Sequence, residues 1–355
     1  MSRLNHSYSE KLPLQKVSVT TAARLHMGFI DLNGSQGRLF GSLGLALDAP
    51  KIELTIFKSE KTLIEAKNHD YIAKIVENIK NKLKLTVNFS VSIQQNIPQH
   101  AGLGSGTQMA LAISAGLNAL FDLNLTTAQL ANITNRGGRS GIGIGTFEQG
   151  GLVIDGGRSA HRQADAQGEN LQQGNTQKNN LKKNNLKVPP IIARHDFPQH
   201  WPILLIMDNN DQGVFGDAEL QAFEALAQAD LATAQALSHS VLMQALPAIV
   251  EHDYAQFCQA IQLLQQATGQ YFYAAQGGHY KSAAVAGVLN YLKNQGLVGL
   301  GQSSWGPTGF ALFESDTEAN LMLNQLKMQF STLRNVHFQI AHAKNTGASI
   351  ELSHC

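Results

Sequence analysis

The sequence predicts an α+β protein. Three observations predict it: alternating apolar runs near both ends of the chain, three helical tracts in its second half, and between them a strand that passes through a glycine-rich loop into a helix. The 355 residues are 43% hydrophobic, enough chain for one large or two ordinary domains with a sizeable core. A net charge of +1 argues against nucleic acid as a partner, because binding a phosphate backbone needs a basic stripe. No run of about 18 apolar residues exists, so no membrane partner is expected. The opening "MSRLNHSYSEKLPLQK" lacks an apolar signal core. Cys258 and Cys355 are the two cysteines, read as free thiols in a reducing cytoplasm rather than a disulfide framework or metal site.

The elements follow in order. Residues 1–14 read as a loose leader, and "VSVTTAARLHMGFIDL" as a strand entering a loop. "KIELTIFK" alternates Ile52, Leu54 and Ile56, a half-buried strand. "HDYIAKIVENIKNKL" places Ile72, Ile75, Val76 and Ile79 on one helical face. "LKLTVNFSVSIQQNIP" alternates Leu85, Val87, Phe89, Val91 and Ile93, a strand that Pro98 stops. A helix after the glycine loop carries a core stripe of Ala110, Ile113, Leu117 and Leu120. "LTTAQLANITN" reads as a helix with a threonine cap. "GRSGIGIGTFEQGGLVIDGG" is glycine-dense and ends in a short strand, and residues 161–190 form a Gln/Asn/Lys-rich insertion or linker. "WPILLIM" is a buried strand. Helical tracts at about 216–246, 251–267 and 279–295 follow, and "GFALF" and "VHFQIAHA" are the closing strands.

The chemistry concentrates at "NIPQHAGLGSGTQMALAISAGL". Gly102, Gly104 and Gly106 let the backbone turn with positive φ and approach a ligand closely, and Ser105 and Thr107 add hydroxyl donors. The helix N-terminus adds free N–H groups and a positive dipole end, so the stretch reads as a phosphate site. A Walker loop is excluded because no lysine follows the glycines, and a dinucleotide fingerprint because Thr107 stands where the third glycine belongs. The plain alternative is a tight turn between strand and helix.

"PQHAGLGSGTQMALAISAGL" resembles the phosphate-binding motif of the GHMP kinase superfamily, and "GQSSWGPTGFALF" at 301–313 is similar to its third glycine-rich motif. The resemblance implies a GHMP-kinase-like fold, with an N-terminal domain like ribosomal protein S5 over 15–190 and a C-terminal ferredoxin-like α+β domain over 191–355. It also exposes a departure. Many of these kinases carry a Ser-Gly-hydrophobic-Asp segment whose aspartate is the catalytic base. Here the segment is Ser140, Gly141, Ile142, Gly143, and glycine replaces the aspartate. The tract upstream, "ITNRGGRS", holds no carboxylate and two arginines, Arg136 and Arg139.

"RLHMGFIDLNGSQGRLFGSLGLALD", "GRSGIGIGTFEQGGLVIDGG" and "GQSSWGPTGFAL" together resemble the β-ribofuranosylaminobenzene 5′-phosphate synthase family. That resemblance implies a decarboxylating transfer of the phosphoribosyl group from 5-phosphoribosyl 1-pyrophosphate to 4-aminobenzoate or 4-hydroxybenzoate, in tetrahydromethanopterin biosynthesis. The expected partners are those two substrates, Mg²⁺ is the expected cofactor, and a homodimer is plausible. The loop N–H groups and Mg²⁺ would stabilise charge on the leaving pyrophosphate. Arg24, Arg136, Arg139, Ser140, Ser304 and Trp305 are candidate substrate contacts. Asp31, Glu148 and Asp155 are candidates for negative potential near the ribosyl centre, with Asp31 and Glu148 also candidate Mg²⁺ ligands. His26 is a candidate base for a para hydroxyl. Each has a plainer reading: His26 as a satisfied structural histidine, Asp31 as a turn residue before Asn33-Gly34, Arg24 as a solvated strand-end residue, Asp155 as a strand terminator, Glu148 as a surface residue, and Trp305 as core packing rather than a stacking platform. A small-molecule kinase using ATP, and a silent sensor of a phosphorylated metabolite, are the competing functions.

Overall fold

The apolar alternation near the N-terminus lays down one long sheet. The computed structural model describes residues 15–138, 140–159, 188–211, 213, 226 and 228–354. Strand β1 (Gln15–Phe29) is followed by β2 (Arg38–Leu39), β3 (Ser42–Lys58), β4 (Leu63–Glu65), helix α1 (His69–Leu83) and β5 (Phe89–Gln95). Helices α2 (Ser105–Leu120), α3 (Thr127–Ile133) and α4 (Ile142–Gln149) come next, then β6 (Leu152–Asp155), β7 (Arg158–Ser159), β8 (Ile191–His195) and β9 (Ile203–Asp208). The remainder is α5 (Leu231–Ser240), which runs through a π-helical segment into α6 (Leu246–Glu251), then α7 (Tyr254–Gln276), α8 (Ala283–Asn294), β10 (Leu300–Gln302), β11 (Thr308–Leu312), α9 (Asp316–Gln329), β12 (Val336–Ala341) and β13 (Ser349–His354).

The first sheet runs β13-β1-β3-β5-β4, with β6 paired to the N-terminal half of β3 and β8 paired to β6. A second, antiparallel sheet runs β10-β11-β9-β12, and β2 and β7 form a small ribbon. Helix α2 packs against β1 and β3 and is buried on nearly every face from Gln108 to Leu117, because α3 and α4 cover its outer side. The core stripe of four read from the sequence is therefore only part of what α2 buries. Thr126 caps α3 in a reciprocal capping box with Gln129. Cys258 is buried in the core, where desolvation pushes its thiol up to about 12, and Cys355 lies outside the described residues.

Several elements differ from the sequence reading. Strand β5 starts only at Phe89, and Val87 is exposed, because Asn88 is drawn into the 59–62 turn. Its Oδ1 accepts from Thr62 Oγ1 and its Nδ2 donates to the Glu60 carbonyl. The glycine-dense tract contains a helix, α4, since Gly143 and Gly145 allow close approach to Thr107 and Ile191 rather than breaking the turn. Helix α9, capped by Ser315, and strands β10 and β13 are additions. The domain division at 190/191 does not follow the sheets: β8 and β13 both complete the first sheet, and the second begins at β9. The leader, most of the 161–190 insertion and part of the 216–246 tract lie outside the described residues.

Gly44 sits opposite His26 in the β1–β3 register, where a Cβ would run into the Ile142 side chain and approach the Leu25 carbonyl to 2.8 Å. Gly44→Ala is expected to cost about 1–3 kcal/mol through overpacking, read as a lowered Tm in thermal denaturation. Gly287→Ala, inside α8 with open space around it, should instead gain roughly 0.5–1 kcal/mol.

Candidate active site

Gly104 adopts the left-handed conformation, φ 77°, and turns the loop into α2, whose N-terminus has no side-chain cap and no acidic residue in its first turn. The Gly104 carbonyl accepts from Thr107 N and Gln108 N, both at 3.0 Å. The free N–H groups and the positive end of the helix dipole are thus presented by Gly104, Ser105 and Gly106, with the Thr107 side chain beside them, all only part-buried.

Two cations flank this turn. Arg24, on β1, holds the loop by donating its backbone N–H to the Leu103 carbonyl at 3.0 Å. Its Nη1 donates to the Gly102 carbonyl at 2.7 Å, and its side chain lies so close to Gly104 that a Cβ there would be 2.7 Å from Arg24 Cγ. At the other end, a Cβ on Gly106 would meet Tyr71 Oη at 3.3 Å and Arg136 Nη1 at 3.4 Å. A helical Cβ leans toward the N-terminus, so the Tyr71 hydroxyl and the Arg136 guanidinium stand over the same uncapped end. Arg136 Nε is buried without a hydrogen-bond partner. The arrangement is chemically suited to a polyanion. Arg139 lies outside the described residues.

The third motif closes the loop from above. Ser303 Oγ donates to the Gly102 carbonyl at 2.8 Å and accepts from His26 N at 3.0 Å. Gly306 packs directly on Gly102, leaving no room for a Cβ on either. Ser304, at φ 56°, is part-buried and lines a small cleft with Gln265, Thr268 and Phe272. Trp305 is 3% exposed, edge-on to Phe272 with centroids 4.7 Å apart, in a cluster with Phe29, Leu32 and Phe40. Its position is that of core packing.

The carboxylates are placed differently from the sequence reading. Asp155 is fully buried and occupied by four donors: Ser42 Oγ at 2.7 Å, Ser140 Oγ at 2.9 Å, Gly141 N at 2.8 Å and Gly157 N at 2.8 Å. Burial raises its pKa despite those bonds. It anchors the Ser140–Gly141 entrance to α4, and the Ser140 hydroxyl is engaged there too, so neither presents a free group to a substrate. Asp31 Oδ1 accepts from Asn33 N at 2.7 Å and Gly34 N at 2.9 Å, the turn role. Glu148 is exposed at the far end of α4. Asp31 and Glu148 do not converge: Ile30 bonds to Gly41 at one end of β3, while Gly151, just past Glu148, bonds to Ala46, roughly 15 Å further along at a strand's rise per residue. Among the described residues no three His, Cys, Asp or Glu side chains come together to hold a metal ion.

The segment that replaces a kinase-type aspartate is held from below. Gln108, buried in α2, donates from Nε2 to the Gly143 carbonyl at 2.8 Å and accepts from Thr21 Oγ1 at 2.6 Å. Gln108, Ser303 and Tyr71 were not singled out in the sequence. A lone amide in the apolar run "TQMALAISAGL" was the one available signal for Gln108.

His26 is 3% exposed, its ring 4.7 Å from that of Phe29. Burial, then the charge of Arg24, lowers its pKa to about 3. An imidazole that weak stays neutral near pH 7, which disfavours the general-base role expected for it.

Fold and site together define a class. Residues 70–149 match the model of the GHMP kinases N terminal domain and 245–332 that of the GHMP kinases C terminal domain. A putative homoserine kinase from Listeria monocytogenes superposes with a TM-score of 0.60 at 17% identity, over 95% of this chain and 99% of that one. Mevalonate diphosphate decarboxylase from Staphylococcus aureus does so with 0.59 at 13%, over 95% and 98%. This is a protein of the GHMP kinase fold. Within that fold, the β-ribofuranosylphenol 5′-phosphate synthase of Methanothermobacter thermautotrophicus is 31% identical over 304 residues, 83% of this chain and 88% of the relative. That of Archaeoglobus fulgidus is 32% identical over 336 residues, 94% and 98%. The chain belongs to the β-ribofuranosylphenol 5′-phosphate synthase family. No helix among the described residues is long and apolar enough to cross a membrane.

Two outcomes follow from this geometry. Gly106→Ala pushes on Tyr71 and Arg136 and should weaken binding of inorganic pyrophosphate about three- to tenfold by calorimetry. Below its ordinary pKa of 6.5, His26 takes up a proton when unfolded but stays neutral when folded until about pH 3. Its contribution to stability is therefore full above 6.5 and lost as pH falls toward 3. Relative to His26→Gln, the protein should lose up to ~1.4 kcal/mol per pH unit between pH 6 and 4 in denaturant titrations.

Proposed function

We propose that this chain joins C1 of 5-phosphoribosyl 1-pyrophosphate to the carboxyl-bearing ring carbon of 4-hydroxybenzoate, with CO₂ and pyrophosphate leaving. The observation that carries this reading is the match over 83% of the chain to a protein named for a ribofuranosylphenol phosphate product. The motifs also admit 4-aminobenzoate, and the relatives' names favour the phenol.

The site supports the chemistry in two ways. The uncapped α2 N-terminus with Arg24 and Arg136 suits the diphosphate, whose charge grows as the C1–O bond breaks and its electron pair departs with pyrophosphate. The ring carbon bearing the carboxylate then supplies the pair for the new C–C bond, pushed by the para oxygen. Cleavage of the bond to the carboxyl group returns a pair to the ring, restores aromaticity and releases CO₂. Finally, the position of a kinase-type base is a glycine whose carbonyl is tied to Gln108, and Asp155 nearby is filled by donors. Mg²⁺ is commonly held by one or two carboxylates plus substrate phosphates. Asp31 and Glu148 do not form such a pair, so Mg²⁺ belongs with the diphosphate as it enters, and no step above depends on it. A kinase is the runner-up, favoured by the GHMP domain matches.

The test is release of labelled CO₂ from carboxyl-labelled 4-hydroxybenzoate and 4-aminobenzoate with 5-phosphoribosyl 1-pyrophosphate and Mg²⁺. Release that needs both substrates is expected, faster with the hydroxy acid. ATP consumption with no CO₂ would replace this reading by the kinase. Arg136→Ala should lower kcat/KM about 100-fold, as loss of a charge-assisted contact to a leaving group does.

A further inference from the structure

His26 carries a buried nitrogen with nothing to bond to. Its Nε2 has no hydrogen-bond partner, while the ring's other contact is to its own backbone carbonyl. Buried polar atoms are nearly always paired, so one without a protein partner is available to a bound molecule. With the second nitrogen donating to the carbonyl, Nε2 of the neutral ring holds a lone pair and is an acceptor.

Its surroundings narrow the partner. The ring lies against Phe29, which contacts Phe40 and Phe272, and Phe272 contacts Trp305. The backbone N of His26 is fixed by Ser303, and Arg24 stands beside it near the anion end of the loop. A hydrogen-bond acceptor inside an aromatic shell, next to a polyanion subsite, suits a planar aromatic molecule carrying a donor. A carboxylate is repelled by the same lone pair, so the donor end of the ring must face the histidine and the carboxylate must point away.

We infer that His26 is the specificity-determining residue for the acceptor, its Nε2 accepting a hydrogen bond from the para hydroxyl or amine of the benzoate. The inference rests on the reading proposed above. His26 is 3% exposed, so the side chains around it part when the acceptor binds. Because the imidazole accepts without taking the proton, its effect is on recognition and orientation. A site built to bond a substrate hydroxyl discriminates sharply against an isostere that lacks it.

The experiment compares binding of 4-hydroxybenzoate and 4-fluorobenzoate, which is similar in shape and lacks the donor, by calorimetry on the full chain with pyrophosphate present. The protein should prefer the hydroxy acid by about tenfold or more. His26→Phe should erase that preference while leaving 4-fluorobenzoate affinity within about twofold, and His26→Gln, whose amide oxygen can accept, should restore part of it. A preference that survives in both variants overturns the assignment and leaves Nε2 to an internal water. Equal weakening of both ligands overturns it in favour of a packing role. Failure of the unaltered protein to bind either benzoate overturns the proposed function itself, a result distinct from loss of discrimination.

Discussion

The carbonyl oxygen of Gly102 fixes the geometry of the site. It receives the Arg24 guanidinium from the first strand and the Ser303 hydroxyl from the third motif, and Ser303 in turn takes the backbone N–H of His26. Three segments far apart in sequence are thereby set in register around one acceptor. The bond from Arg24 is charge-assisted, a kind worth about 1.5–3 kcal/mol, larger than most single contacts. The Ser303 bond, in turn, relies on Gly102 and Gly306 letting two backbones touch. Where the loop sits decides where α2 begins, and where α2 begins decides where its bare N–H groups point.

A second constraint is the sorting of charge. The overall balance of +1 conceals a local asymmetry. Along the loop the cations face the helix end, whereas Asp155 is turned inward and saturated by serine hydroxyls and backbone N–H groups. Asp155, bonded to Gly141 two residues before the place of a kinase's catalytic base, is a bracket for the start of α4. A fold shared with homoserine kinase thus presents a surface rich in donors and poor in proton acceptors. That suits a reaction in which pyrophosphate departs and no hydroxyl needs to be stripped of its proton by a carboxylate base.

Much of this was legible in the sequence where the signal was local. The strand, glycine loop and apolar helix were read from spacing alone, and the buried face of α1 from its period. The threonine cap of α3 was visible as a type of residue before an apolar run. What escaped depends on distant partners. Helix α4 was hidden by glycines whose purpose is contact with Thr107 and Ile191. Asp155, Asp31 and Glu148 share a chemistry that a sequence cannot separate into buried, turn-forming and exposed. Tyr71 reaches the site from a helix that otherwise reads as scaffold. The weak basicity of His26 comes from burial that only the folded chain creates.

The order in which the first sheet is assembled carries a consequence for biogenesis. Strand β1 pairs on one side with β3, its near neighbour in the chain, and on the other with β13, so that Thr20 meets Ser349. The whole second sheet and its helices are threaded between those two events. A ribosome that has produced the glycine loop and its helix has therefore made a sheet with one flank of β1 still unpaired, an open template for another chain. Such a distant contact closes late and slowly. Nascent chains of this topology are expected to depend on a chaperone to shield that edge until the final strand arrives.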